Sequence, residues 1–188
     1  MDLIGWAAEE SRRRLAAVGT RWAHSRAVAS RAQEIAAVID PVDRSVLVAA
    51  AYLHDIGHAP ELVASGFHPL DGARWLQEQG FDRLAGLVAH HTGAMFEADA
   101  RGLAAAMSHF PVECSAVSDA LSYSDLTTGP AGERVSVAER LGEIERRYGS
   151  ASLVVGALEQ ASETILAMVE RTEQRLSRRT DGGFIATR

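Results

Sequence analysis

The sequence predicts an all-α protein, and three features of its apolar residues support that class. Alanine supplies much of the apolar content, while aromatic residues make up 6% of the chain, a balance that favours closely packed helices. Apolar residues recur at helical spacing in several segments. The longest apolar run, residues 45–53, has almost no polar side, so its length and alanines favour a buried helix over a strand. We therefore expect a helical bundle built around that run.

The length of the chain indicates one domain. The 188 residues are enough to bury a substantial core, and no internal repeat or linker divides them. We expect a single domain over residues 1–188, with its core at about 20–148. A long C-terminal helix should cover about 150–178, followed by a frayed tail at 179–188.

Charge and composition exclude several classes of partner. The formal charge of −6 and the isoelectric point near 5.6 argue against nucleic acid, because phosphate contacts need a basic face. No apolar run approaches the roughly 20 residues that span a bilayer, and residues 1–6 do not resemble a targeting peptide. The single cysteine, Cys114, fits a reducing compartment. We expect a cytoplasmic protein with no membrane partner, and the oligomeric state stays open.

Capping residues and helix breakers define the expected helices. Gly19 and Asp40-Pro41 end the first two helices, and Asp43 or Ser45 begins the buried one that carries His54 and Asp55. Pro60 should open a short helix. Besides the buried helix, the expected helices are, in order, 6–17, 21–39, 61–65, 68–79, 81–91, 97–107, 112–126, 136–148 and 150–178.

Periodicity places several polar side chains on buried faces. His24 lies on the apolar stripe of the second helix, and His68 stands at the start of the helix that Pro69 opens. His91 continues the apolar face of its helix, whereas His90 projects elsewhere. Asp125 falls on an apolar stripe, where a carboxylate needs a partner.

Asp119 and Asp125 lie on the same expected helix, 112–126, and receive opposite expectations. Asp119 lies across the helix from Asp125 and is expected to be solvated.

Asp55 follows His54 at the tip of the buried run, where neutral imidazole and carboxylate together suit a divalent transition metal.

Together these residues form the order H…HD…H…H…D, represented by His24, His54-Asp55, His68, His91 and Asp125. This pattern resembles the HD superfamily of metal-dependent phosphohydrolases over roughly residues 24–147. The resemblance implies an all-α HD-domain bundle with a central metal site.

Two subfamilies share shorter stretches of the chain. Residues 67–73 with His90-His91 resemble the HD-GYP cyclic-dinucleotide phosphodiesterases, although the Gly-Tyr-Pro element is absent and Thr92 replaces the acidic residue after the double histidine. The stretch His91-Thr92-Gly93 resembles bacterial HD enzymes that hydrolyse symmetrical dinucleoside tetraphosphates.

The resemblance assigns roles to particular residues. It implies that His24, His54, Asp55 and Asp125 bind a first metal, and that Asp55 bridges to a second ion held by His68 and by His91, with His90 as the alternative. One or two divalent ions are expected, drawn from Mn, Fe, Ni, Co and Mg. Asp55 and His58 are the catalytic candidates, since many relatives place a lysine or histidine at position 58 toward phosphate. Arg74, Thr92 and Arg140 are candidate substrate contacts.

The expected activity is hydrolysis of a small phosphate ester, with a nucleotide as the expected substrate class, by a metal-activated water. Two alternatives stay open at this point. Some HD proteins with similar ligand sets are mixed-valent di-iron oxygenases, and the domain could instead be a non-catalytic, metal-containing regulatory module.

Overall fold

The computed structural model describes residues 2–182 and confirms the all-α class: the described residues contain helices and no strand. The α-helices, in order, are α1 (Leu3–Leu15), α2 (Arg21–Ile35), α3 (Arg44–Leu53), α4 (His68–Glu78), α5 (Asp82–His90), α6 (Ala94–Ala100), α7 (Ala104–Met107), α8 (Ala116–Leu126), α9 (Val137–Tyr148) and α10 (Leu153–Gly182). Three short 3₁₀ helices lie at Ala36–Val38, Ile56–His58 and His91–Gly93.

The apolar run 45–53 forms α3, which lies at the centre of the bundle. Every residue of the helix from Leu47 to Leu53, apart from the half-buried Tyr52, is buried. Helices α1, α2, α5 and α8 all pack against it. Because α3 ends at Leu53, His54 and Asp55 emerge in the interior of the bundle rather than at its surface.

The expected helix at 61–65 does not form. Residues 59–66 make turns and bends instead, because the buried carboxylate of Asp71 accepts hydrogen bonds from the backbone N–H groups of Ala64, Ser65 and Gly66. This loop is wrapped around a side chain of α4 and brings the chain back toward the tip of α3.

Several helix bounds also differ from expectation. The expected helix 97–107 is divided into α6 and α7, since Gly102 adopts a left-handed backbone (φ 72°) between them. Helix α8 begins at Ala116 rather than at 112, because Ser115 forms a capping box with Ser118. Helix α10 continues to Gly182, so residues 179–182 of the expected frayed tail are helical, and residues 183–188 lie outside the described residues.

The expectation for Asp119 was wrong. Its side chain is buried and accepts hydrogen bonds from Arg171 at 2.6 and 2.9 Å and from Arg175 at 2.8 Å. These ion pairs join α8 to α10. The long C-terminal helix therefore covers the face of α8 that periodicity alone assigned to solvent.

Within the described part of the chain, no helix is both long enough and apolar enough to cross a membrane.

Gly57 allows a close approach between the turn after α3 and the start of α4. A Cβ at this position would overlap the carbonyl oxygen of His68 and lie 2.6 Å from the backbone nitrogen of Gly72. Since both neighbours are backbone atoms, no side-chain rotation relieves the overlap. Gly57→Ala is therefore expected to lower the free energy of unfolding by about 1–3 kcal/mol, measured by chemical denaturation in the presence of a chelator.

Gly156→Ala is the matched control for that substitution. Gly156 lies inside α10, and among the described residues no neighbouring atom lies within 4 Å of a Cβ placed there. This change should raise the free energy of unfolding by about 0.5–1 kcal/mol, because alanine restricts the unfolded chain more than glycine. Equal stabilities of the two variants would show that the turn moves freely away from α4.

Candidate metal centre

Side chains from five parts of the chain meet at the tip of α3. His24 comes from α2, His54 and Asp55 follow α3, His68 begins α4, His91 follows α5, and Asp125 lies near the end of α8. All except His68 are buried, and His68 is half-buried. The structure thus brings together the residues of the H…HD…H…H…D pattern.

Three of the imidazoles share one hydrogen-bond arrangement, in which Nδ1 lies against a backbone carbonyl oxygen. Because a carbonyl oxygen only accepts, Nδ1 must carry the proton, and Nε2 then presents a lone pair. A neutral imidazole fixed in this way is the form in which histidine commonly binds metal. The Nδ1–oxygen distances are 2.9 Å for His24 to Gly129, 2.8 Å for His54 to Ala51 and 2.6 Å for His91 to Val88.

The first ligand group surrounds the Nε2 atom of His54. That atom is buried, has no hydrogen-bond partner among the described residues, and lies 3.8 Å from Oδ1 of Asp55 and 3.9 Å from Oδ1 of Asp125. Nε2 of His24 lies 3.1 Å from the same Asp125 oxygen. A lone pair and a carboxylate oxygen both accept hydrogen bonds, so a proton or a cation is needed between them. This donor set fits a divalent metal ion.

The second ligand group consists of Asp55, His68 and His91, whose nitrogen and oxygen atoms lie within 4.8 Å of one another. Nε2 of His68 is 3.3 Å from Oδ1 of Asp55. The same carboxylate also belongs to the group formed with His24 and His54. Asp55 is therefore the residue that could contact two ions at once.

Two positively charged or polar neighbours contact Asp55 without belonging to either group. Arg21 donates a hydrogen bond of 2.8 Å to Oδ2 of Asp55. His58 stacks on His68 with ring centroids 4.1 Å apart, and its Nε2 atom lies 3.6 Å from Oδ1 of Asp55. His58 approaches from the 3₁₀ turn 56–58 rather than from a continuation of α3.

Burial and mutual charge decide the protonation of these groups. Burial lowers the pKa of His54, that of His58 to about 4, and that of His68 well below its usual range. Burial would raise the pKa of Asp55, but the facing imidazole of His54 and the guanidinium of Arg21 hold it well below the usual value. His54, His58 and His68 are therefore neutral and Asp55 is ionised, which is the protonation that metal binding requires.

His24 and Asp125 form a coupled pair at the edge of this centre. Burial opposes the charge on His24, yet the hydrogen bond to Asp125 raises the pKa of the imidazole. Burial likewise opposes the charge on Asp125, and the hydrogen bond from His24 lowers the pKa of the carboxyl. In the absence of a metal ion a shared proton satisfies the pair, so metal binding there must displace that proton.

A cavity of about 300 Å³ opens beside the centre. Its charged wall contains Arg21, Arg101, Arg140 and Arg147. Its apolar wall includes Phe67, Ile144, Tyr148 and Leu158. The cavity therefore offers guanidinium groups and apolar surface next to the clustered histidines and aspartates.

The candidate substrate residues lie in different places. Arg140 is buried in the cavity wall, with Nη1 2.5 Å from Glu143 and Nε without a hydrogen-bond partner among the described residues. Thr92 also lines the cavity, but its hydroxyl donates to Asp125. Arg74 is exposed on α4 and is absent from the cavity lining.

The two adjacent histidines point in different directions. His91 lies in the centre, with its ring 5.3 Å from that of His54 and 5.4 Å from that of His68. His90 instead has Nε2 2.9 Å from the carbonyl oxygen of Phe110 and lines a separate cavity on the far side of the 3₁₀ turn 91–93.

Sequence reasoning missed the arginines of the cavity other than Arg140. Arg21 lies three residues before His24 on the same helix, and residues at that spacing share a helix face. That spacing was the available signal. Arg101 and Arg147 gave none, because charged residues near the ends of short helices are usually solvated.

In the comparison with protein-family models, residues 21–124 match the HD domain. No curated protein and no solved structure matched the chain. The matched segment covers more than half of the chain and contains every residue of the two ligand groups except Asp125, which follows it directly. Proteins with this domain are typically metal-dependent phosphohydrolases, and the clustered histidines and aspartates could hold a metal ion. The chain belongs to the HD-domain family.

Proposed function

We propose that this protein is a metal-dependent hydrolase of a small phosphorylated substrate, with a nucleotide as the expected class. The observation that carries the proposal is the shared tautomer of His24, His54 and His91, whose Nε2 lone pairs converge on the carboxylates of Asp55 and Asp125. A structural histidine cluster has no need for unpaired, buried Nε2 atoms such as that of His54.

The proposed ligands are His24, His54, Asp55 and Asp125 for one ion and Asp55, His68 and His91 for another. When bound, divalent ions polarise phosphoryl oxygens and favour deprotonation of water. The nitrogen and oxygen ligands suit Mn, Fe, Ni, Co or Mg.

Arginines and apolar side chains of the cavity are proposed to bind the substrate. The guanidinium of Arg140 is buried, and its Nε atom has a donor to spare. Glu143 bonds Arg140 at 2.5 Å and Arg147 at 2.5 Å, which holds both guanidinium groups at the cavity. The planar fork of arginine matches the oxygens of a phosphate. The apolar wall formed by Phe67, Ile144 and Leu158 supports a substrate with a flat apolar part, such as a nucleobase.

The test begins with protein purified without a chelator. Elemental analysis gives the identity and number of bound metals, and phosphate release is then measured over a panel of nucleotides. Activity that disappears with a chelator and returns with added Mn²⁺ would support the proposal. An iron-loaded protein that consumes oxygen and releases no phosphate would indicate an oxygenase instead. Retained metal with neither reaction would favour a regulatory module.

The proposal makes unequal predictions for the adjacent histidines. His91→Ala should lose affinity for Mn²⁺ by at least about 10-fold, since even residues that only orient metal ligands contribute 10–100-fold. His90→Ala should keep wild-type affinity, because its ring bonds Phe110 on the other side of the turn. Metal titration of the chelator-treated proteins measures both. A larger loss in the His90 variant would make His90 the ligand.

A further inference from the structure

Thr92 has an unusual backbone conformation beside the metal centre. It lies between His91 and Gly93 with φ 51° and ψ 35°, in the left-handed region. Among the described residues it is the one non-glycine residue with a positive φ. A β-branched side chain is strained in this region, and such strain persists where the surrounding structure enforces it.

Two hydrogen bonds to α8 hold Thr92 in this conformation. Its backbone N–H donates to Oγ of Ser122 at 3.0 Å. Its hydroxyl donates to Oδ2 of Asp125 at 2.8 Å. Ser122 and Asp125 are three residues apart on α8, so one residue of the 3₁₀ turn spans nearly a full turn of that helix.

The two oxygens of Asp125 consequently have separate partners. Nε2 of His24 at 3.1 Å, Nη2 of Arg140 at 3.8 Å and Nε2 of His54 at 3.9 Å all approach Oδ1. Among the described residues, the hydrogen bond to Oδ2 comes from Thr92. This contact fixes the rotation of the carboxylate and leaves Oδ1 facing the imidazoles.

The hydroxyl of Thr92 has only one hydrogen to donate. A phosphate oxygen accepts hydrogen bonds, and the donor that it would need is already committed to Asp125. This commitment argues against the substrate contact expected from the sequence, although Thr92 lines the cavity.

We propose that Thr92 is a positioning residue that orients Asp125 as a metal ligand through Oδ1 and ties it to the neighbouring ligand His91. The inference rests on the proposed metal centre. The left-handed backbone of Thr92 places its hydroxyl against Asp125, and the preceding residue, His91, contributes its imidazole to the second ligand group. Thr92 therefore links the two groups directly.

The experiment compares Thr92→Val, Thr92→Ala and Thr92→Ser as chelator-treated proteins titrated with Mn²⁺. Valine keeps the β-branched shape and removes the hydroxyl, alanine removes it with a smaller side chain, and serine retains it. Thr92→Val and Thr92→Ala should bind Mn²⁺ about 10–100-fold more weakly than wild type. Thr92→Ser should stay within about threefold, because it restores the donor.

The rise in melting temperature on adding Mn²⁺ separates positioning from general destabilisation, because it depends on affinity for the folded state. Thr172→Val is the matched control: Thr172 is a buried threonine of α10 whose hydroxyl bonds the carbonyl oxygen of Met168. This control should keep the full rise, because Thr172 contacts neither ligand group. The rise should shrink in Thr92→Val.

Unchanged Mn²⁺ affinity in Thr92→Val and Thr92→Ala, with binding by the wild type, would overturn this inference alone. Equal weakening by Thr92→Ser would also overturn it, since the hydroxyl would then not matter. Absence of Mn²⁺ binding by the wild-type protein would overturn the metal centre and the inference together.

Discussion

Asp55→Ala and Asp125→Ala are each expected to reduce bound metal to near zero and to abolish phosphate release. Asp55 belongs to both ligand groups, so its loss should affect every ion. Asp125 faces Nε2 of His24 at 3.1 Å and that of His54 at 3.9 Å, and it supplies the second carboxylate of the first group, beside that of Asp55. Elemental analysis and a phosphate-release assay of the purified variants measure the two effects.

Asp119→Ala is the matched control, because Asp119 is a buried aspartate on the same helix as Asp125. It bonds Arg171 and Arg175 on α10 and is not a member of either ligand group. Its replacement should therefore leave metal content at the wild-type value. The free energy of unfolding should fall by about 1–3 kcal/mol through loss of charge-assisted hydrogen bonds. Equal metal content in all three aspartate variants would refute the ligand assignment.

Much of the fold could be predicted because the chain has strong local signals. The apolar run 45–53 has almost no polar side, so it was expected to be buried, and it forms the central helix α3. Helix α9 begins after Ser136 and ends before Gly149, close to the expected 136–148. The helix expected at 61–65 failed where a side chain of the following helix decides local structure. Residues 61–65 do not form a helix, because backbone N–H groups of Ala64 and Ser65 donate hydrogen bonds to the carboxylate of Asp71. The helical propensity of these residues does not reveal that contact.

Within the candidate site, periodicity placed His24 and Asp125 on buried faces because each lies in the interior of a regular helix. It failed for Asp119 because periodicity indicates one buried face of α8, whereas α10 covers a second face. It also missed Arg21, whose hydrogen bond to Asp55 joins residues 34 positions apart.

The hydrogen bond that fixes the imidazole of His24 lies beyond sequence reasoning for a different reason. Nδ1 of His24 bonds a carbonyl oxygen 105 residues away. A backbone carbonyl carries no residue identity, so no pattern of side chains signals it. The tautomer of His24 therefore became visible only once the helices were packed, whereas His54 and His91 bond carbonyl oxygens three residues before them, those of Ala51 and Val88.

His58→Ala is expected to keep its metal and lose turnover by about 10²–10⁴-fold, the usual contribution of a general acid or base. Both ligand groups are complete without His58. Its ring lines the cavity and stacks on His68, and its Nε2 atom lies 3.6 Å from Asp55, too far for a hydrogen bond. The side chain is thus placed at the reacting end of the cavity without a fixed partner for that atom.

Burial lowers the pKa of His58 to about 4, so at neutral pH the imidazole carries one N–H and one lone pair. This state suits a hydrogen-bond donor to a phosphoryl oxygen or a proton acceptor, and it disfavours a donor of a full proton. His109→Ala is the control, because His109 is exposed and absent from the cavity lining. Phosphate release at equal metal occupancy compares the two variants with wild type. Unchanged turnover in His58→Ala would remove His58 from the reaction. Loss of metal would make it a ligand, since its Nε2 atom faces the carboxylate shared by both groups and has no hydrogen-bond partner within residues 2–182.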